Sequence, residues 1–260
     1  MSETAIVQFD EYQISIDTLR KLPADHVAAF AALSYAVTET NILRKIFLAQ
    51  SHDYIGEKVF DEAISAQRFL VLRTWSSKLF EAKEFLESLF GRKAKVKDQL
   101  LNRLAEDAAV DFERSASLEG YAIARDIRHE MANHYLFEVA RKNLPHVHSG
   151  ALCNMYTHQN GGNDFFPLGE AVMFQGRLNR KWREVDTAAG RQAKLDHWFE
   201  WCLNVNTSLQ KSHAMFAGEL IFPVVGRNTF YRKSYWVPKA MVGHQINHLT
   251  PLIFREDETP

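Results

Sequence analysis

Two long rows of apolar residues, stepping alternately by three and four, constrain this chain more than any other feature. In residues 58–90 the row is Leu72, Trp75, Leu79, Ala82, Leu86 and Leu89. In residues 187–216 it is Leu195, Trp198, Cys202, Val205 and Leu209. This spacing brings every member back to one side of an α-helix, whereas a strand would throw successive members to opposite faces. A shorter row, Val27, Phe30, Leu33 and Val37, follows Pro23, whose missing N–H suits the opening of a helix that can run to Gln50. Leu100, Leu104 and Ala108 mark a further helix over residues 97–112, and residues 118–141 read as one more. Gly91 is a natural stop for the helix over residues 58–90. Helices with short joins pack as a bundle, so an all-α fold is expected.

The expected organisation has three parts. Residues 1–22 form an N-terminal arm, with an extended piece near Ala5–Phe9. Residues 23–142 form a helical bundle without a Gly/Ser-rich linker. Residues 143–260 form a helical C-terminal extension ending in a small irregular or β tail. Pro145, Gly150, Gly161 and Gly162 mark a loop carrying His146, His148 and His158. Residues 164–182 are expected to be helical if Pro167 sits in the first turn. They end in a basic cluster, Arg177, Arg180, Lys181 and Arg183, which suits a solvated helix end and leaves a phosphate role open. The tail from residue 220 to 254 has no Asp or Glu, but it interleaves Arg227, Arg232, Lys233 and Lys239 with Tyr231, Tyr235 and Trp236. Short strands or a hairpin are expected there. Such a mixture can hold phosphates and stack bases, and it also fits a hairpin packed on the bundle.

Charge narrows the classes of partner. The formal net charge is -1, which excludes a uniformly basic nucleic-acid coat and leaves room for a local basic patch. The two cysteines, Cys153 and Cys202, form no pair motif and are expected to be buried side chains in a reducing compartment. The first residues are acidic and lack a basic-then-apolar leader, and no run of 18 apolar residues occurs. A cytoplasmic protein without a membrane span is expected.

The sharpest chemical pattern lies in ARDIRHEMANHYLFEVAR, residues 124–141: Arg128, polar His129, four residues, then His134. RNA carries its own nucleophile, the ribose 2′-hydroxyl. Cleavage therefore needs a base for that proton, a cation on the phosphorane and an acid for the leaving 5′ oxygen. Histidine titrates near neutrality, and arginine stays charged and grips phosphate oxygens with a planar fork. Six residues at about 100° each place Arg128 and His134 roughly 120° apart around a helix, a thin site in one copy.

An arginine followed by a polar residue, with a histidine five or six positions on, resembles the motif of the HEPN superfamily. These are all-α proteins, many of them metal-independent ribonucleases, and the segment Lys78-Leu-Phe-Glu81 is also similar to a helix in some bacterial members. The resemblance implies a homodimer whose two motif helices face each other and pool their Arg–His sets. It casts Arg128 as the phosphate-stabilising cation, His134 as the acid/base or 2′-hydroxyl activator, and His129 as an orienting residue. Arg125 would support substrate binding, as would Arg232, Lys233, Tyr235 and Trp236 from the tail. RNA is the implied substrate, without a metal or other cofactor, and a toxin or phage-defence role would bring a partner antitoxin or nucleotidyltransferase.

Other readings of the same residues stay open. His134 borders an apolar strip of Ile127, Met131 and Tyr135, which also suits a structural histidine. A HEPN-like module that binds nucleotide, RNA or a protein partner without cleaving is the main alternative, followed by an unrelated helical interaction protein. HEMANH is one residue too long for the zinc-protease motif HExxH, since His129 and His134 stand roughly 140° apart. His244 and His248 have metal-ligand spacing only if helical, and Gly243 and Pro251 argue against that. Glu39 and Asn41, mid-helix, are expected to make solvated or interhelical polar contacts.

Overall fold

The computed structural model describes residues 4–50, 52–92, 94, 96–116, 118–131, 137–157, 163–182, 185, 187–225, 230–242 and 249–252, without the side chains of Ala116, His129, Glu130, Met131 and Ala240. The chain is predominantly helical. Strand β1 (Thr4–Tyr12) leads into a short α1 (Ile16–Leu19), then α2 (Ala24–Ala49), α3 (Lys58–Glu87), α4 (Gln99–Ala116), α5 (Glu119–Met131) and α6 (Phe137–Asn143). After a loop come α7 (Pro167–Glu170), α8 (Gly176–Lys181), the long α9 (Ala188–Phe216), α10 (Phe222–Val225) and strand β2 (Phe230–Pro238). A single π-turn joins α7 to α8 (Ala171–Gln175) and another joins α9 to α10 (Ala217–Ile221). Pro167 is the first residue of α7, where the absent N–H costs nothing.

Both long apolar rows are buried as their spacing requires. Trp75, Leu79, Leu86, Trp198, Cys202, Val205 and Leu209 have no solvent exposure at all. They share one core with Leu33 of α2, Leu104 and Ala108 of α4, and Ile123, Ala124 and Ile127 of α5. Helix α9, from the C-terminal part of the chain, therefore packs into the same core as α2 to α5.

The helix ends carry their own caps. Thr187 accepts the N–H of Gly190 at the start of α9. Asp98 accepts the N–H of Leu101 at the start of α4, and its second oxygen meets the ring of His26 on α2 at 3.0 Å. The Leu101 N–H, with a smaller contribution from His26, holds the Asp98 carboxyl below the usual range. Gly91 sits at φ 76°, in the left-handed region that ends the turn after α3.

Inside the core, two of the three buried indoles are paired, while Trp201 Nε1 has no hydrogen-bond partner among the described residues. Trp75 Nε1 donates to Asn206 Oδ1 at 3.0 Å, and Asn206 Nδ2 donates to Asn41 Oδ1 at 3.0 Å. Gln210 also donates to Asn41 Oδ1, at 2.7 Å. Asn41 thus makes interhelical contacts, linking α2 to α9. Trp198 Nε1 donates to Ser76 Oγ across α9 and α3.

Four expectations change. The residues around Val224 and Val225 extend the helical run from α9 rather than opening a strand. The buried row itself ends at Leu220 and Ile221, and Val224 is exposed. Of the short strands or hairpin expected in the tail, the described residues form one strand, and it does not pair within the tail. Its strand β2 pairs with the N-terminal arm, antiparallel, in register from Thr4 opposite Pro238 to Tyr12 opposite Phe230. This two-stranded ribbon is joined to the helices through Tyr12, whose ring lies 4.9 Å from that of Phe222. Cys202 is buried, but Cys153 is exposed, because it lies in the open loop after α6. Within the basic cluster ending α8, Arg177 departs from a solvated helix end, being 1% exposed, whereas Lys181 is exposed.

Helix α5 approaches α9 closely at Gly120. A Cβ there would lie 2.1 Å from the backbone oxygen of His197 and 2.7 Å from Trp201 Cβ. Gly120→Ala would normally gain about 1 kcal/mol of helix propensity. Here overpacking dominates, and a net loss of about 1–3 kcal/mol is expected from urea unfolding. An unchanged or raised midpoint would show that α5 does not approach α9 this closely.

Candidate functional site

The α5 helix is placed by its N-terminal half. Gly120 lets it close on α9, and Tyr121 stacks between helices, 5.4 Å from the Phe80 ring and 6.2 Å from that of Trp201. Gly120, Ala124 and Arg128 then fall on one i, i+4 row. The first two are buried, and Arg128 emerges where this row leaves the core. Its side chain keeps 28% exposure. Four residues earlier would be core and four later would be past the described part of the helix.

Arg128 faces Glu81 of α3, with Nη2 at 3.8 Å from Oε1. That distance is an ion pair without a hydrogen bond. The other oxygen of Glu81 accepts from Lys78 Nζ at 2.9 Å. Lys78 Nζ also stands 3.6 Å from Glu39 Oε2 of α2. Its hydrogen bond to Glu81, joined by the pull of Glu39, holds the Lys78 ammonium above the ordinary lysine range. Four charges of alternating sign thus run from α2 through α3 to α5. At the end of this chain Arg128 is under-satisfied. Its Nε is buried and has no hydrogen-bond partner among the described residues. A guanidinium offers five donors in a fixed fork, so this one retains capacity for an incoming anion.

The remaining motif residues are only partly described. His129 lies within α5 but its side chain is outside the description, and His134 lies in 132–136, outside the described residues altogether. His158, His244 and His248 are outside it as well. Arg125 is exposed on α5, with its guanidinium carbon 5.9 Å from the centre of the Tyr121 ring.

The tail residues lie on β2, each with its own local partners. Arg232 donates through Nε and Nη2 to the two oxygens of Asp10 at 2.9 and 3.3 Å. Lys233 stands 3.3 Å from Glu11, and Tyr235 donates to the same carboxylate at 2.7 Å. The Arg232 guanidinium holds the Asp10 carboxyl below the usual range, and Tyr235 with Lys233 does the same for Glu11. The basic charge of β2 is thus matched by acids on β1, which the acid-free tail sequence conceals. Trp236, 70% exposed opposite Ile6, is the ribbon's most open large hydrophobic side chain.

The basic cluster of α8 supports the motif helix from behind. Arg177 Nη2 donates to the carbonyl of Asp126 at 2.8 Å, and Lys181 Nζ lies 3.5 Å from the Asp126 carboxylate. Arg180 Nε donates to Asn143 Oδ1 at 3.1 Å, reaching the end of α6. Asp126, two residues before Arg128, and Asn143, at the end of α6, are therefore tied to one short helix.

The sequence reading assigned no site role to Lys78 or Glu81, and placed Arg177 only in a basic cluster suited to solvent or phosphate. The first two carried a signal, the i, i+3 pair inside Lys78-Leu-Phe-Glu81. Nothing in the sequence pointed Arg177 inward. Among the described residues no group of three or more His, Cys, Asp or Glu side chains gathers as a metal site. A groove of about 340 Å³ opens between α4 and α9, lined by Asp111, Arg114, Thr207 and Lys211 among others, and none of the residues singled out from the sequence lines it. No helix among the described residues is long and apolar enough to cross a membrane. Compared with family models, curated proteins and solved structures, the chain finds no match in any of the three.

Replacing Arg177 with Met keeps the volume and removes the extra hydrogen bond to the Asp126 carbonyl, which already accepts a backbone N–H within α5. A loss of about 1–3 kcal/mol is expected, with faster hydrogen exchange at the C-terminal half of α5. Unchanged exchange there would mean that α8 does not brace the motif helix.

Proposed function

We propose that the chain is a metal-independent endoribonuclease of HEPN type, in which the 2′-hydroxyl of RNA attacks the adjacent phosphate. The observation that carries this reading is the under-satisfied Arg128 guanidinium, held at a fixed place on α5 by the α3–α9 core. In this reading Arg128 receives the phosphate and stabilises charge that grows on the phosphorane. His134 takes the 2′ proton or protonates the leaving 5′ oxygen. His129 orients the pair, and Arg125, exposed one turn before it, adds a second cation for the RNA backbone. The products are a 2′,3′-cyclic phosphate and a 5′-hydroxyl.

The active species in this reading is a homodimer with its motif helices facing. Phe137, which opens α6 just beyond the motif and is 76% exposed, supports such a contact, because burial of an aromatic ring is a common anchor at interfaces. A toxin or phage-defence effector, restrained by an antitoxin or nucleotidyltransferase partner, is the setting that the family resemblance suggests. Contacts from Arg232, Lys233, Tyr235 and Trp236 to RNA belong to the same proposal. For these, Trp236 offers the open ring for base stacking, while the two cations must leave Asp10 and Glu11 to reach phosphate. A HEPN-like module that binds nucleotide, RNA or a protein without cleaving is the second reading, and the Glu81–Arg128 ion pair favours it, because a cation already engaged is a weaker electrophilic partner.

The test is cleavage of a mixed RNA pool by the full chain in EDTA. Wild type should leave cyclic-phosphate ends, and folded Arg128→Ala and His134→Ala variants should each lose at least about a hundredfold in rate, the usual range for acid–base or charge-stabilising groups. Cleavage unchanged in both variants would reject the reading, and no cleavage by wild type would leave the binding module in its place.

A further inference from the structure

The chain of charges that ends at Arg128 has a feature that a purely structural ion pair would not need. Glu81 is shared unequally. Its Oε2 is hydrogen-bonded to Lys78 at 2.9 Å, while its Oε1 stands off from Arg128 at 3.8 Å. Lys78 is itself shared, with Glu39 at 3.6 Å. The four side chains keep between 28% and 40% exposure, so anions from solvent can reach the end of the chain. Arg128 meanwhile holds a buried Nε with no acceptor among the described residues. A guanidinium that is neutralised but not hydrogen-bonded can exchange its partner for an anion that offers better geometry, and a phosphate with several oxygens does so.

We propose that Glu81 is a positioning residue that competes with phosphate for Arg128, and that Lys78 and Glu39 set the strength of this competition. The proposal rests on the reading of Arg128 as a phosphate-binding residue and adds its regulation. With no ligand, Glu81 fixes the guanidinium near α3. When a phosphate arrives, Arg128 turns its Nε and Nη2 to the phosphate oxygens, and Glu81 falls back wholly on Lys78. No proton moves and no charge is left unpaired, because Lys78 is already there to receive the released carboxylate.

This arrangement predicts effects whose sign alternates along the chain. Glu81→Gln removes the competitor, so phosphate binds more tightly. Lys78→Met frees both oxygens of Glu81 to clamp Arg128, so phosphate binds more weakly. Glu39→Gln gives Lys78 entirely to Glu81, loosens its hold on Arg128 and tightens binding again, by less. Lys78 acts only through Glu81, so Lys78→Met has no further effect once Glu81 is Gln. Partly exposed ion pairs are individually weak, so each change is about two- to fivefold.

The experiment uses the full-length chain in EDTA, with arginine side chains labelled by ¹⁵N. The Arg128 Nε–H signal, assigned by its loss in Arg128→Lys, is followed during titration with inorganic phosphate and with a 2′-O-methyl oligoribonucleotide that cannot be cleaved. Thermal unfolding checks that each variant is folded. The proposal expects the Arg128 signal to respond, tighter binding in Glu81→Gln, weaker in Lys78→Met, and Glu81→Gln behaviour in the double variant. Weaker binding in both single variants would overturn it, since that is what simple disruption of the site predicts. Additive weakening by Lys78→Met in the double variant would also overturn it, because Lys78 would then hold phosphate directly. An Arg128 signal that ignores both ligands, in wild type and in Glu81→Gln, would overturn it together with the phosphate-binding reading. The alternating pattern without any RNA cleavage would uphold the competition and reject the ribonuclease reading alone.

Discussion

The structure depends on the buried layer between α3 and α9. Three indoles, Trp75, Trp198 and Trp201, lie there almost wholly out of water. Two of them spend their N–H on Asn206 and Ser76. The third, Trp201 Nε1, has no partner among the described residues. Burying an indole without one costs about 1–3 kcal/mol, a cost that Asn206 and Ser76 spare Trp75 and Trp198. The Asn206 amide then passes the connection to Asn41, which fixes α2 against the same two helices. A purely apolar seam could slide by a turn. This one cannot slide without stranding several amide groups at once, and that restricts α2, α3 and α9 to one register.

The candidate site inherits its precision from that register. Phe80 and Trp201 receive Tyr121, Gly120 lets α5 come within backbone contact of α9, and the row that starts at Gly120 delivers Arg128 beside Glu81. A long side chain such as arginine has many rotamers, and fixing one costs about 1.5–2 kcal/mol. Glu81 in front and the buried methylene stem behind share that cost before any ligand arrives. On the opposite side, Arg177 grips the carbonyl of Asp126, two residues before Arg128. The motif helix is thus held from two directions, by a carboxylate near its functional end and by a buried guanidinium near its backbone.

Much of this fold was legible in the amino-acid sequence. The rows through Trp75 and Trp198 marked their helices, and Pro167 and Gly91 punctuated where their backbone chemistry requires. These signals are local, and a helix closes its hydrogen bonds locally. The rest was hidden because it is made between distant residues. Both strands of the ribbon could be suspected from Ala5–Phe9 and from the aromatic tail, but nothing local says that residue 10 meets residue 232. The acid-free tail looked like a phosphate surface because its counter-charges, Asp10 and Glu11, sit at the other end of the chain. Arg177 resembled its solvated neighbours, since burial of one cation in a basic cluster leaves no periodic trace. At the site, Arg128 was conspicuous, while Glu81, 47 positions earlier by subtraction of the two residue numbers, showed only as half of a Lys–Glu pair on a different helix.

The central claim is that this architecture presents Arg128 as a cation ready to take a phosphate. The most direct test is a crystal structure of the chain with a 2′-O-methyl dinucleotide, whose blocked 2′ oxygen prevents cleavage. The account predicts the linking phosphate on the Arg128 guanidinium, within hydrogen-bond distance of Nε and Nη2, with Glu81 withdrawn onto Lys78 and the α3–α9 layer unmoved. A dinucleotide bound elsewhere, with Arg128 still facing Glu81, would contradict it.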